Sequence, residues 1–250
     1  MPRLRFLGAQ VDSVSMDEAL LKLKEFIRSN VPHLVVAFNV PKLWRMERDP
    51  RLKSIIERAE LVLPEHVVAL SSRLCATPLK ASIGNDRLTQ AFLPIAAQKG
   101  YRVYFLGTRP DVLQRLKARL LQRHPNLEIA GCHDGFFTEA EAENVNHEIR
   151  AAKPDVLFVG MGTPRQEYWM ETHGRRLGVP VIVGVGGVLD LLAGVKTDAP
   201  QWISAVGAEW IYRAIEDPRG KAKRYLTALP WFISTLLVKG VLDRRRASAE

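Results

Sequence analysis

Three apolar runs in this chain end in small residues and lead straight into helix-like sequence. Arg102–Leu106 (RVYFL) passes into Gly107-Thr108-Arg109-Pro110. Asp155–Val159 passes into Gly160-Met161-Gly162-Thr163, and Val181–Val185 into Gly186-Gly187. A buried strand, a glycine turn and an amphipathic helix, repeated in this way, call for a parallel sheet. Parallel neighbours need a crossover, and a helix supplies it.

The rest of the body fits the same scheme. Val11–Val14 reads as a short strand. Ser15 with Glu18 three residues on is a capping-box signature, and it opens a helix through Ala19, Leu20, Leu23 and Phe26. His33–Asn39 reads as a buried strand. Pro41 begins a helix that Leu52–Ala59 continues or follows with another. Glu60–Leu63 is a strand ending at Pro64, and Leu127–Ala130 is one more. Helices are expected to end near His124 and Leu177, to span Glu139–Ala152 with acids in the first turn, and to start near Val188. The expected fold class is α/β: a Rossmann-like, mostly parallel sheet with helices on both faces. Ligands in such sheets bind beyond the carboxyl ends of the strands.

After Pro200 the pattern changes. Trp202–Ile215 reads as helical, Asp217–Gly220 as a break, Lys221–Leu229 as a basic helix, and Pro230 as the start of a third, apolar one. The expected organisation is an α/β catalytic domain over residues 1–200 and a helical appendage over 201–250. A length of 250 residues suits one large core with such an addition.

Charge narrows the partners. The net charge is +9, and from Arg213 onward nine basic residues face four acidic ones. A basic tail implies an anionic partner: nucleic acid, a phospholipid surface or a phosphorylated substrate. Trp231, Phe232, Leu236 and Leu237 beside those cations suit a helix lying in a membrane interface. No secretory signal and no bilayer-spanning run is expected, since Ala228–Val238 is too short and Val179–Val195 is broken by Asp190. Two cysteines, Cys75 and Cys132, make neither a disulfide framework nor a four-ligand zinc site, and they fit reduced thiols in the cytosol.

The chemistry-bearing strings lie at the strand ends. Glycines there let backbone amides and a helix N-terminus approach phosphate closely. None forms a Walker loop or a clean GxGxxG, so a nicotinamide cofactor has little support. In Gly162-Thr163-Pro164-Arg165-Gln166-Glu167, Pro164 suits a first helical turn, Gln166 can hydrogen-bond a ligand, and Glu167 can bind sugar hydroxyls or simply cap the helix. Glu65-His66 follows a strand, where a carboxylate or imidazole can act as general base. Asp190 lies just inside a helix, where it can equally well complement the dipole. There is no Asp-x-Asp, and the six histidines show no metal-ligand spacing. No metal or other cofactor is expected; glycine amides and Arg or Lys would neutralise a bound diphosphate.

Taken together, these strings resemble the WecG/TagA/CpsF glycosyltransferase family (glycosyltransferase family 26). The resemblance runs from about Val11 to Tyr225. It is carried by AELVLPE (59–65), RVYFLGTRPDVL (102–113), HPNLEIAGCHDGFF (124–137), PDVLFVGMGTPRQE (154–167), VGVGGVLDLLAG (183–194) and GAEWIYRAIEDPRGKAKRY (207–225). It implies an inverting transferase that moves a hexose-type sugar from a UDP-sugar to a polyprenyl-diphosphate-linked saccharide. Its products would feed surface polymers such as capsule, exopolysaccharide or teichoic acid. The protein would sit peripherally on the cytoplasmic face of the cell membrane. Nucleic acid is not an expected partner, and a homo-oligomer is left open.

The resemblance also assigns residues. Asn39 matches an Asn after the early strand, and Glu65 stands where the family usually has an Asp, the proposed base, with His66 as the substitute. Gly107, Thr108, Gly160, Gly162, Pro164, Gln166, Glu167, Gly186, Gly187 and Asp190 would form the donor site. Glu209, Tyr212, Arg213, Arg219 and Arg224 would meet the acceptor and its diphosphate. The sequence departs from the family at Glu65-His66 (usually Asp-Gly), at Ala37, at Ala81-Ser82-Ile83-Gly84, where an arginine is expected, and at Asp198-Ala199-Pro200, usually Arg-Ala-Pro. Arg73, Arg87 and Lys196 are the alternative cations. The competing expectation is a catalytically impaired homologue that serves as a binding or assembly subunit.

Overall fold

The computed structural model describes residues 2–75, 78–197, 203, 212, 215 and 223–240, with no side-chain description at 223, 224 and 240. In chain order its elements are β1 (Arg3–Phe6), β2 (Ala9–Asp12), α1 (Met16–Ser29), β3 (His33–Phe38), α2 (Val40–Met46), α3 (Pro50–Arg58), β4 (Leu61–Pro64), α4 (His66–Ser72) and α5 (Asn85–Lys99). There follow β5 (Arg102–Gly107), α6 (Pro110–Arg123), β6 (Glu128–His133), α7 (Ala142–Ala152), β7 (Val156–Gly160), α8 (Arg165–Thr172), β8 (Val181–Gly184), α9 (Val188–Leu192) and α10 (Lys223–Thr235).

Six strands form a parallel sheet in the order β4-β3-β8-β7-β5-β6. The strand runs are apolar throughout because both faces are covered. On β7, Leu157 and Val159 join the core under α2, α3, α8 and α10. Val156 and Phe158 join the core under α1, α5, α6 and α9. The chain leaves β5 toward β6 on one side and leaves β7 toward β8 on the other. The connections therefore diverge at the carboxyl ends of β5 and β7, which is the crevice where open α/β sheets bind ligands.

The expected α/β class is what the chain adopts. Local differences have physical causes. The N-terminal strand is half of an antiparallel hairpin, β1 with β2, closed by Leu7 and Gly8 at φ of 48° and 94°. That turn needs two residues with positive φ, and a leucine in the first place hides the signal. The helix expected from Glu139 starts at Ala142, because the Glu141 carboxylate is taken by the Thr138 amide and hydroxyl in a turn ahead of it. Pro230 does not open a new helix; α10 runs through it and continues in a wider turn over Leu236–Gly240. Ala228 and Phe232, one turn apart and flanking Pro230, are buried against the body, with the Phe6 and Phe232 rings 6.4 Å apart. That packing outweighs the loss of one helical hydrogen bond.

The capping box at the start of α1 is formed as expected. Ser15 N–H donates to Glu18 Oε2 at 2.7 Å, and Glu18 N–H donates to Ser15 Oγ at 3.3 Å. Ala19, Leu20, Leu23 and Phe26 face the core. Among the described residues, no helix is long and apolar enough to cross a membrane.

Candidate active site

The carboxyl edge of the sheet carries two unlike constructions. The first, at β5, β7 and β8, is built of backbone. Gly107 and Gly160 are register partners, and a Cβ on Gly107 would lie 2.5 Å from the Gly160 carbonyl oxygen. A Cβ on Gly160 would lie 2.8 Å from the Gly186 carbonyl oxygen and 2.7 Å from the Leu189 side chain. The three loops can approach one another only because these positions lack side chains.

Gln166 ties two of those loops together. Its Oε1 accepts the Gly162 N–H at 3.2 Å and the Gly186 N–H at 3.0 Å. Its Nε2 donates to Glu167 Oε1 at 2.9 Å. Thr163 Oγ1 donates to the same carboxylate oxygen at 3.1 Å, and Lys42 Nζ lies 2.9 Å from it. Glu167 is fully buried and Gln166 is 2% exposed. Both side chains point inward and hold the loop, rather than standing exposed at the rim of the crevice. Pro164 follows a cis peptide bond and caps α8 rather than lying within its first turn.

α8 itself is anchored from outside. The Tyr168 hydroxyl donates to the Asp49 carboxylate, and Arg51 stacks over the Tyr168 ring. The hydrogen bond to Asp49, together with burial, raises the Tyr168 hydroxyl above its ordinary value. Burial opposes ionisation of Asp49. Even so, the Leu52 amide and the Tyr168 hydroxyl hold its carboxyl below the usual value.

Across the crevice, Asp190 in the first turn of α9 accepts from Thr108 Oγ1 and pairs with Lys196. Thr108 sits at a φ of 54°, a conformation unusual outside glycine, which turns its hydroxyl toward α9. Gly187 closes this side, with Lys196 Nζ 3.9 Å from where its Cβ would be. Lys196, one of the alternative cations, is thus engaged with Asp190.

The second construction, at β3 and β4, is built of side chains. Asn39 caps α2, its Oδ1 accepting the Lys42 N–H at 3.0 Å. Its Nδ2 donates to Glu65 Oε2 at 3.2 Å. Glu65 stands at the N-cap of α4 without capping it through its side chain, and its own N–H donates to the Phe38 carbonyl at 2.9 Å. Glu65 and His66 are both half-buried. Pairing of Phe38 with Pro64 sets Asn39 and Glu65 side by side, each one residue past its strand.

Of the expected acceptor-side residues, Glu209, Arg213 and Arg219 lie outside the described residues, as does Asp198. Arg224 is in the first turn of α10. The Tyr212 hydroxyl lies 2.8 Å from Thr197 Oγ1, close behind Lys196. Among the described residues, no group of three or more His, Cys, Asp or Glu is placed to hold a metal ion.

The sequence reading missed Lys42 and Thr163. Lys42 is 4% exposed and also donates to the Ala37 carbonyl at 2.7 Å. A hint was available: Lys42 sits in the first turn after an Asn cap, within the apolar run of Val40 and Leu43. A lysine there faces inward only if it finds a partner.

The model of the glycosyl transferase WecG/TagA/CpsF family matches residues 4–247. An N-acetylglucosaminyldiphosphoundecaprenol N-acetyl-beta-D-mannosaminyltransferase of Staphylococcus aureus is 31% identical over 218 residues, 86% of this chain and 85% of that protein. A protein of the same name from Bacillus spizizenii is 29% identical over 226 residues, 90% of this chain and 84% of the other. With the family match spanning nearly the whole chain, this chain belongs to the glycosyl transferase WecG/TagA/CpsF family.

Proposed function

We propose that this protein is an inverting glycosyltransferase that moves an N-acetylmannosamine-class sugar from a UDP-sugar to a polyprenyl-diphosphate-linked saccharide. The observation that carries the reading is the Asn39–Glu65 pair on the same sheet edge as the glycine cradle. The loop after β8 is two inter-strand steps from β4, roughly 10 Å. A diphosphate with one sugar ring has about the length needed to span that distance beyond the strand ends.

In this mechanism Glu65 takes the proton of the acceptor hydroxyl, and His66 is the alternative base. The hydroxyl oxygen bonds to the anomeric carbon as the carbon–oxygen bond to the diphosphate breaks, and UDP carries the electron pair away. Asn39 orients Glu65, a role that proximity makes valuable in catalysis. Amides of the loops after β5, β7 and β8 other than those held by Gln166, together with the cations Arg213, Arg219 and Arg224, would neutralise the charge that grows on the leaving diphosphate or rests on the acceptor. In this reading Asp190 and Thr108 would meet the donor's ribose, and Glu209 and Tyr212 the acceptor. The chain's own amides and cations supply the positive charge, so the reaction is read as metal-independent and chelator leaves the rate unchanged.

The protein is read as peripheral on the cytoplasmic face of the membrane, and α10 supports the contact with a lipid surface. Ala228, Phe232 and Thr235 are buried against the body, whereas Leu226 (72% exposed), Ile233 (53%) and Leu237 (62%) form a stripe on the opposite side. With Lys239 beside them, these side chains suit a lipid boundary with cations at headgroup level.

The test is a transfer assay on purified protein with a panel of UDP-sugars and a short-chain polyprenyl-diphosphate N-acetylglucosamine, with products read by mass. One donor giving a product larger by one N-acetylhexosamine supports the reading. No product with any donor from folded protein leaves the assembly-subunit reading instead. Flotation with anionic vesicles checks the membrane part: Leu226→Ser/Leu237→Ser is expected to lose most binding and keep its melting temperature.

A further inference from the structure

Lys42 is the point where the two halves of the site meet, and it belongs to none of the motifs that mark the family resemblance. Its backbone amide donates to Asn39 Oδ1 at 3.0 Å, and Asn39 in turn donates to Glu65. Its ammonium donates to the Ala37 carbonyl at 2.7 Å and lies 2.9 Å from Glu167 Oε1. That single carboxylate oxygen also takes the Thr163 hydroxyl and the Gln166 amide, while Oε2 has no hydrogen-bond partner among the described residues. Gln166 then holds the Gly162 and Gly186 amides. One side chain therefore joins the carboxyl end of β3 to the loops after β7 and β8.

A buried ion pair is a poor way to gain stability, since well-packed apolar residues commonly do as well. Its value lies in directional bonds, which fix two parts in one relative geometry. We infer that Lys42 is a positioning residue that locks the Asn39 loop, which orients Glu65, to the nucleotide cradle through Glu167 and Gln166. The inference rests on the transferase reading for its kinetic consequence, but not for its structural one.

The test uses Lys42→Met, Glu167→Gln and the double variant. Glu167→Gln keeps an acceptor oxygen for Lys42 and Gln166, so kcat is expected to fall less than about 5-fold. Lys42→Met strands a buried carboxylate and lowers the melting temperature as well as kcat. The double variant removes both charges, so its melting temperature returns close to the parent's, while kcat stays lower on the order of 100-fold, as expected for a misplaced base. The second readout is hydrogen exchange of the Gly162 amide, whose acceptor is Gln166. In both Lys42→Met proteins it is expected to exchange at least about 10-fold faster, with the β1–β2 amides unchanged.

Recovery of both melting temperature and kcat in the double variant would reduce Lys42 to a counter-charge for Glu167 and overturn the inference. An unchanged Gly162 exchange rate would overturn it too. If the parent protein transfers no sugar from any UDP-sugar, the transferase reading fails, and Gly162 exchange alone decides whether the lock exists.

Discussion

The two halves of the carboxyl edge solve the same problem with opposite means. At β5, β7 and β8, the cleft is shaped by what is missing: glycines whose Cβ atoms would collide with neighbouring backbone. At β3 and β4, it is shaped by what is present: Asn39, Lys42 and Glu65, held by one another. The difference predicts different failures. The glycine half loses its shape, and with it the fold, when atoms are added. The side-chain half loses chemistry when Asn39 or Glu65 is cut back, and there it keeps the fold.

The largest effect should come from the glycine half. Gly107→Ala places a methyl against the Gly160 carbonyl at a φ of 139°. Overpacking costs about 1–3 kcal/mol, and a non-glycine residue in that backbone region a similar amount. Chemical denaturation should show the loss, and calorimetry with UDP should show no binding. A variant with parental stability would mean that the loops are free to move apart.

Asn39→Ala should sharpen the contrast. A hydrogen bond to a charged group is worth about 1.5–3 kcal/mol, which is roughly 10- to 100-fold in kcat. The lost cap on α2 costs only about 1 kcal/mol of stability. Steady-state kinetics beside a melting curve separate the two. A fall in stability without a fall in kcat would remove Asn39 from the site.

The smallest effect lies far from the edge and serves as a control. The Lys80 ammonium and the Ser15 amide hold the Glu18 carboxyl below its ordinary value of 4.5. A lowered value in the folded state means that Glu18 adds stability above the unfolded value, and that this is lost as pH falls through the folded one. Lys80→Met should therefore be slightly less stable than the parent at neutral pH and equal to it in acid, with unchanged transfer. A stability difference that survives below the folded value would contradict the pairing.

The same comparison explains what the sequence could reveal. Glycines at strand ends are visible because they interrupt apolar runs, so the sheet, the crevice and the cradle could be read from Gly107, Gly160, Gly162, Gly186 and Gly187. The Ser15–Glu18 cap was equally visible, because both partners lie within one turn. Lys42 was not, since its partners Ala37 and Glu167 come from different elements and a buried lysine looks like any other in a string. Gln166 and Glu167 stand out as a motif, but their burial does not, because helical phase in a short helix after Pro164 does not tell inside from rim. Likewise Pro230 suggested a break that the burial of Ala228 and Phe232 overrides. In each case tertiary partners decided what local pattern left open.

The central claim is that Glu65, not merely the fold around it, performs the transfer. The most direct measurement is single-turnover transfer from UDP-N-acetylmannosamine to a lipid-diphosphate N-acetylglucosamine by the parent and by Glu65→Gln, with UDP affinity measured alongside. Removal of a general base is expected to lower the rate by about 100- to 10,000-fold, with UDP affinity and melting temperature retained. A Glu65→Gln protein that transfers at the parental rate would contradict the account and move the base to His66.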